Sequence, residues 1–168
     1  IPVQRVAAEG EKLEVKVSGL MGGHSGAEID KNRANANKLM GRFLYGLKKK
    51  ADYAVISLTG GQKDNAITRE CITEFLTDAP EEVKAYAKEL QEQIREEYTG
   101  SDENITIEVK ENGVETAQVL HPTSQEKIVF YLQNVPFGIQ KMSGTIKGLV
   151  ESSSNIGILR LDEDELFA

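Results

Sequence analysis

The stretch YAVISLTGGQKDNAITRECITEFL, Tyr53–Leu76, decides the fold. Its first part, "YAVISLTGG", is a short apolar run closed by two glycines, the composition of a buried strand. "DNAITRE" makes a connection, and "CITEFL" supplies a second strand directly after it. Helical patterns flank this pair. Upstream, Ala36, Leu39, Met40, Phe43, Leu44 and Leu47 recur at three- and four-residue steps, which predicts an amphipathic helix beginning near Asp30. Downstream, Pro80 opens a second helix whose apolar face is Val83, Tyr86, Ala87, Leu90 and Ile94, and Gly100 stops it. Strict alternation marks two outer strands, one at Leu13, Val15 and Val17, the other at Ile105, Ile107 and Val109. The order is β-α-β-β-α-β. It predicts an α+β, ferredoxin-like sandwich: a four-stranded antiparallel sheet with both helices on one face.

The pattern loosens after Glu111. A third helix is expected after Pro122, with Thr123 near its cap, running to about Val135; a short strand is expected at Ile156–Leu161. The chain therefore divides into a ferredoxin-like core, 1–111, and an additional C-terminal α/β segment, 112–168, read as a second and incomplete part. The opening Ile1-Pro2, without an initiator methionine, and the strand-like close "LRLDEDELFA" read as a piece of a longer protein.

Composition bounds the function. With 20 basic against 27 acidic residues the net charge is −7, which argues against a nucleic-acid partner, since that would need a basic face. No apolar run approaches the roughly 18 residues of a membrane span. The single cysteine, Cys71, lies in an expected strand and reads as a buried structural thiol in a reducing cytoplasm. His24 and His121 are far apart and neither has a partner at helical or strand spacing, so no zinc centre is expected from this chain. The acidic run Asp162–Glu165 lacks the spacing of a calcium loop and reads as a solvated turn.

What remains is "GLMGGHSGAEIDKNRANA", Gly19–Ala36, where His24 sits among Gly22, Gly23 and Gly26 between a strand and a helix. Two readings of His24 stand side by side. It is either a turn histidine with a satisfied hydrogen bond, or an imidazole held to donate to a substrate oxygen while other chemistry is supplied elsewhere.

The succession of strand, Gly-x-His-Ser-Gly turn, Asn35-Ala36 at a helix start, apolar strand and "GGQKDNAITRE" resembles the lid, or dimerisation, domain of the dinuclear zinc exopeptidases of the carnosinase and aminoacylase type. "GLVESSSNIGIL", Gly148–Leu159, is similar to a second signature found in the aminoacyl-histidine dipeptidase branch of that family. The resemblance implies a division of labour. The two zinc ions, their ligands and the glutamate base would lie in a separate catalytic domain, with no metal held by this chain. The lid would cover a dipeptide substrate, contact its own catalytic domain and form a homodimer, and the fragment alone would be inactive. The histidine matching His24 would help polarise the scissile carbonyl. Asn65 holds the place of a substrate-contacting asparagine in an "Asn-x-Ile-Pro" turn, with Thr68 in place of the proline, and Asn155 is the corresponding residue of the second half. Arg33 and Arg69 read as structural or rim charges. The alternatives are a non-catalytic ferredoxin-like module for self-association or binding of a small metabolite, and a self-sufficient hydrolase.

Overall fold

The computed structural model describes all 168 residues. Ten strands and three helices follow one another as β1 (Arg5–Ser18), β2 (Gly23–His24), α1 (Ala36–Leu47), β3 (Tyr53–Gly60), β4 (Ala66–Ile67), β5 (Cys71–Thr77), α2 (Pro80–Glu97), β6 (Thr106–Leu120), α3 (Pro122–Asn134), β7 (Gly138–Met142), β8 (Val150–Ser154), β9 (Leu159–Leu161) and β10 (Leu166–Phe167).

The main sheet has the order β10-β9-β3-β5-β1-β6, with every neighbouring pair antiparallel. Its middle four strands, β3-β5-β1-β6, are joined through α1 and α2 in the expected β-α-β-β-α-β order. Leu13, Val15 and Val17 of β1 point into the core, as their alternation predicts, and meet Phe43 and Leu44 of α1 and Leu90 and Ile94 of α2. Phe43 and Tyr86 stack across the two helices at 5.5 Å, so both helices share one face. The opposite face carries ion pairs, Lys12 with Glu74 at 3.1 Å and Lys16 with Glu70 at 3.1 Å. This is the one-sided burial typical of an antiparallel sheet.

The sheet is wider than the expected four strands because β9 and β10 add to β3. A third helix joins the same layer. Gly41 of α1 lets it in: a Cβ there would lie 2.6 Å from Cβ of Leu132 of α3, so only glycine allows the two helices this close. One buried cluster of 31 residues contains Leu120, Ile128, Leu132, Leu159 and Leu166 beside the residues of β1, α1 and α2, so the C-terminal segment shares the core of the first 111 residues.

Several boundaries differ from expectation, each for a local reason. Helix α1 starts at Ala36, not near Asp30. Residues Ile29–Lys31 form a single 3-10 turn, Asn32 takes a left-handed φ of 52°, and the Asn35 side chain caps the helix by accepting from the N–H groups of Asn37 and Lys38. Helix α3 is capped by His121 rather than Thr123, its Nδ1 accepting from the Thr123 N–H at 3.3 Å. Strand β6 runs on past Glu111 to Leu120, so position 111/112 falls within a strand. Its second half stays paired with β1, but most of its side chains are exposed, which erases the apolar alternation. The expected strand at Ile156–Leu161 is confined to β9, and the hairpin β7–β8 was not anticipated.

Arg5 ties the edges together. Its guanidinium donates to the carbonyls of Ile56, Gln118, Asp162 and Glu163 at 2.9–3.1 Å. The Ile56 carbonyl is available because β3 bulges there against β5. The acidic run Asp162–Glu165 is thereby held as the turn between β9 and β10. Ile1 and Leu166 exchange backbone hydrogen bonds at 2.8 Å, which places the two ends of the chain side by side. Cys71 is fully buried, and burial pushes its thiol upward, in keeping with a structural role. No helix is long and apolar enough to cross a membrane.

Candidate functional site

Strands β2 and β4 form a separate two-residue ribbon beyond the end of the main sheet, Gly23 opposite Ile67 and His24 opposite Ala66. The turn that follows β2 is braced by charge. Glu28 accepts from the His24 backbone N–H at 2.8 Å and pairs with Lys31 at 2.9 Å and Arg33 at 3.0 Å. Arg33 also donates to the Gly22 carbonyl. The His24 N–H first, then Lys31 and Arg33, hold the Glu28 carboxyl down to about 2. Arg69 donates from Nε to the Leu20 carbonyl at 3.2 Å, fastening the start of the same loop.

The glycines serve the turn itself. Gly23 has a φ of 143°, and a Cβ there would lie 2.7 Å from Oε2 of Glu28. Gly26 lies under the imidazole, where a Cβ would be 3.3 Å from Cε1 of His24. The room they make lets the carboxylate clamp and the ring close against the backbone.

That closure fixes the state of His24. Its Nδ1 accepts from the backbone N–H groups of Gly26 at 3.0 Å and Ala27 at 3.2 Å. An Nδ1 that accepts carries no proton, so the neutral ring bears its proton on Nε2. The side chain is exposed and offers that N–H outward.

The three expected site residues meet at one turn. The Asn65 carbonyl accepts from the Ser25 N–H at 3.0 Å, which seats it beside His24; its side chain is exposed. Asn155 reaches across from the C-terminal segment, and its Nδ2 donates to the carbonyl of Ala66 at 2.8 Å, with Asp64 at 3.4 Å. Its Oδ1 accepts from Asn35 at 3.0 Å. Both ends of the Asn155 amide are therefore engaged in holding the turn.

Behind this contact lies a buried network that the sequence reading missed. Asn35, the cap of α1, also donates to the Ile156 carbonyl at 3.0 Å. Asn37 donates to that same carbonyl at 3.1 Å and to Oγ1 of Thr68 at 3.2 Å. Thr68 in turn donates to the Ile156 carbonyl at 2.9 Å. Thr68 stands where the resembling turn has proline, and a proline could make none of these bonds. The signal available in the sequence was the Asn35-Ala36-Asn37 triplet at a helix start, where the first asparagine caps and the second turns inward.

Beside the ribbon lies a polar cleft of about 680 Å³, reached from Gly23 and Ala66 and bounded by the ends of β3 and β5. An apolar groove of about 380 Å³ between α1 and α3 shares no residue with it. For a metal the donor set does not fit. No three His, Cys, Asp or Glu side chains converge, and the Nδ1 atoms of both histidines are already taken by backbone N–H groups.

Comparison with known proteins bears on the same region. Residues 15–102, which run from the end of β1 through the His24 turn, α1 and β5 to α2, match the peptidase dimerisation domain family. The cytosol non-specific dipeptidase of Escherichia coli (strain K12) is 30% identical over 165 residues, 97% of this chain and 34% of that protein. The crystal structure of aminoacylhistidine dipeptidase from Vibrio alginolyticus superimposes with a TM-score of 0.93 at 29% identity, over 99% of this chain and 34% of that one. The chain thus spans about a third of the length of both relatives. With more than half of its residues matched, it belongs to the peptidase dimerisation domain family.

Proposed function

We propose that this chain is the lid and dimerisation domain of a cytoplasmic, metal-dependent dipeptidase of the aminoacyl-histidine type, and that His24 donates a hydrogen bond to the scissile carbonyl of a dipeptide. The observation that carries the reading is the fixed tautomer of His24: two backbone amides hold Nδ1, and an exposed Nε2–H remains. A donor held in place before the reaction gains strength as negative charge builds on the carbonyl oxygen, and it does so without reorganising. Asn65 stands beside it with an exposed amide, suited to a polar group of the substrate. Asn155 contributes by positioning the turn, since its own amide is spent on Ala66 and Asn35.

The pair of zinc ions, their ligands and the base belong to a catalytic domain outside this chain, in keeping with the share of the relatives that it spans. Self-association would have to avoid the start of the β6 edge, because side chains of α2 already occupy it. Gln91 accepts from the Ile107 N–H at 2.8 Å, and Arg95 donates to the Ile105 carbonyl at 2.7 Å.

The test is His24→Ala in the full-length enzyme. Loss of one such donor typically costs about 10²–10³ in turnover, or roughly 2.7–4 kcal/mol. The expected variant keeps its melting temperature and metal content while kcat falls more than KM rises. Near-normal kcat in a well-folded variant would reduce His24 to a turn residue.

A further inference from the structure

The loop that carries His24 leaves β1 after Ser18 and returns at the start of α1, and one distant side chain grips both of its stems. Asp102, in the connection between α2 and β6, accepts from the Met21 N–H on one carboxylate oxygen at 3.0 Å and from the Ala34 N–H on the other at 3.2 Å. These partners lie 81 and 68 positions away in sequence. Asp102 is 1% exposed, the one carboxylate among the buried residues, and it pairs with no cation. Its own place is fixed. Its N–H donates to the Tyr98 carbonyl at the end of α2 at 3.0 Å, and the Asn104 carbonyl next to it lies 2.0 Å from where a Cβ on Gly19 would be. Burying a carboxylate without a cation is unfavourable, so packing alone gives no reason for one here.

We propose that Asp102 is a positioning residue for His24: by fixing the distance between the stems at Met21 and Ala34, it holds the turn in the shape that leaves Nε2–H as the outward donor. The bonds above this base form a ladder that ends at the ring. Arg33 joins the stems again by donating to the Gly22 carbonyl, and it pairs with Glu28 at 3.0 Å. Glu28 accepts from the His24 N–H at 2.8 Å. The last rung is the imidazole, whose Nδ1 is held by the Gly26 and Ala27 N–H groups. Each rung is a hydrogen bond of fixed length, so the spacing set at the base is carried to the ring. The positioning stands on these contacts; its bearing on turnover rests on the lid reading above.

The first measurement needs no substitution. The Met21 and Ala34 amides of the native chain should exchange with deuterium as slowly as core amides do, and exchange as fast as in an open loop would overturn the clamp. The second uses Asp102→Asn, which is nearly isosteric, keeps one oxygen for one stem and turns an NH₂ toward the other. With isotope-labelled histidine the chain shows two imidazoles, so His121 serves as an internal reference. With both rings neutral, the two His24 ring nitrogens are expected to move toward one another as the Nδ1-protonated tautomer gains population. The Gly26 and Ala27 amides should shift with them, and His121 should not. Thr73→Val removes another buried bond, to the Ser57 carbonyl, and should leave His24 unmoved. An unmoved His24 in folded Asp102→Asn, or the same change in Thr73→Val, would overturn the proposal and leave Asp102 a residue of the fold alone. In the full-length enzyme, Asp102→Asn is expected to lower kcat about 10- to 100-fold with KM within about twofold and metal content kept. A displaced His24 with unchanged kcat would keep the positioning and overturn the lid reading instead, so the two failures are told apart.

Discussion

Two small ribbons stand outside the main sheet, and they are built on opposite principles. The β2–β4 ribbon has only two residues per strand, yet it is tied down from every side by Glu28, Arg33, Arg69, Asn155 and the cap of α1. The β7–β8 hairpin has five residues per strand, with irregular register, and its side chains hold it mainly through one exposed ion pair, Lys141 with Glu151 at 2.9 Å. Such a surface pair contributes little. The hairpin instead turns Ile139, Met142, Ile146 and Leu149 toward solvent, each between 39% and 58% exposed. Charged and amide side chains fix the geometry of one ribbon; the other keeps apolar surface open. The longer element is the less determined one, which shows that side-chain bracing, not strand length, sets the precision of a presented residue here.

The sharpest way to break this contrast is to cut the brace where it enters the core. Asn35→Ala removes the cap of α1 and leaves Oδ1 of Asn155 without its donor, while the Ile156 carbonyl keeps Asn37 and Thr68. Cap loss costs about 1 kcal/mol, and leaving the half-buried Oδ1 of Asn155 unpaired adds roughly 1–3 kcal/mol. A loss near 3 kcal/mol should lower the melting temperature by roughly 6–12 °C in a domain of this size, as thermal denaturation would measure.

A milder cut keeps the shape and removes one hydroxyl. Thr68→Val loses the bond to the Ile156 carbonyl and the acceptor for Asn37, at an expected cost of about 1–2 kcal/mol in denaturant unfolding. An equal stability in Thr68→Val would mean the hydroxyl is redundant in the network.

Acid gives a reversible version of the same experiment on the braced ribbon. The Glu28 carboxyl is lowered from 4.5 to about 2, so the native state favours its ionised form. The stabilisation is therefore fully present above about 4.5 and is lost as pH falls through about 2. Amide shifts of His24 and Gly26 should titrate with a midpoint near 2, and Glu28→Gln should abolish that step. A midpoint near 4.5 would show that the clamp is open in solution.

Much of the sandwich was legible because its signals are local. Val83, Tyr86, Ala87, Leu90 and Ile94 recur at helical spacing and all five are buried. Leu13, Val15 and Val17 alternate and are wholly enclosed. The second half of β6 was not legible because Val114 and its neighbours are exposed, so no alternation survives although the strand stays paired with β1 on both sides of a bulge. The glycine- and serine-rich hairpin failed for the same reason. At the site, His24 could be singled out from its glycines, but its tautomer could not. That depends on the Gly26 and Ala27 amides curling back onto Nδ1, a matter of turn conformation rather than composition. The bond from Asn155 to Ala66 joins residues 89 positions apart, and no local pattern encodes it.

The smallest expected effect belongs to the open ribbon, and it is the one that tests the contrast from the other side. Ile146→Ser together with Leu149→Ser replaces two exposed apolar side chains at the hairpin end, where Ser143 already holds the turn by accepting from the Thr145 and Ile146 N–H groups. Those bonds use the backbone of residue 146, so serine leaves them intact. Nothing buried is uncovered and no polar group loses its partner. The expected change is within about 0.5 kcal/mol, or roughly 1–2 °C in melting temperature, with reduced binding of an apolar dye. A loss as large as that of Asn35→Ala would mean that these side chains are enclosed in solution, by a second copy or by the body of the molecule. Repeating the melt over a hundredfold range of protein concentration separates the two, because cover by a second copy makes the transition depend on concentration and cover by the same chain does not.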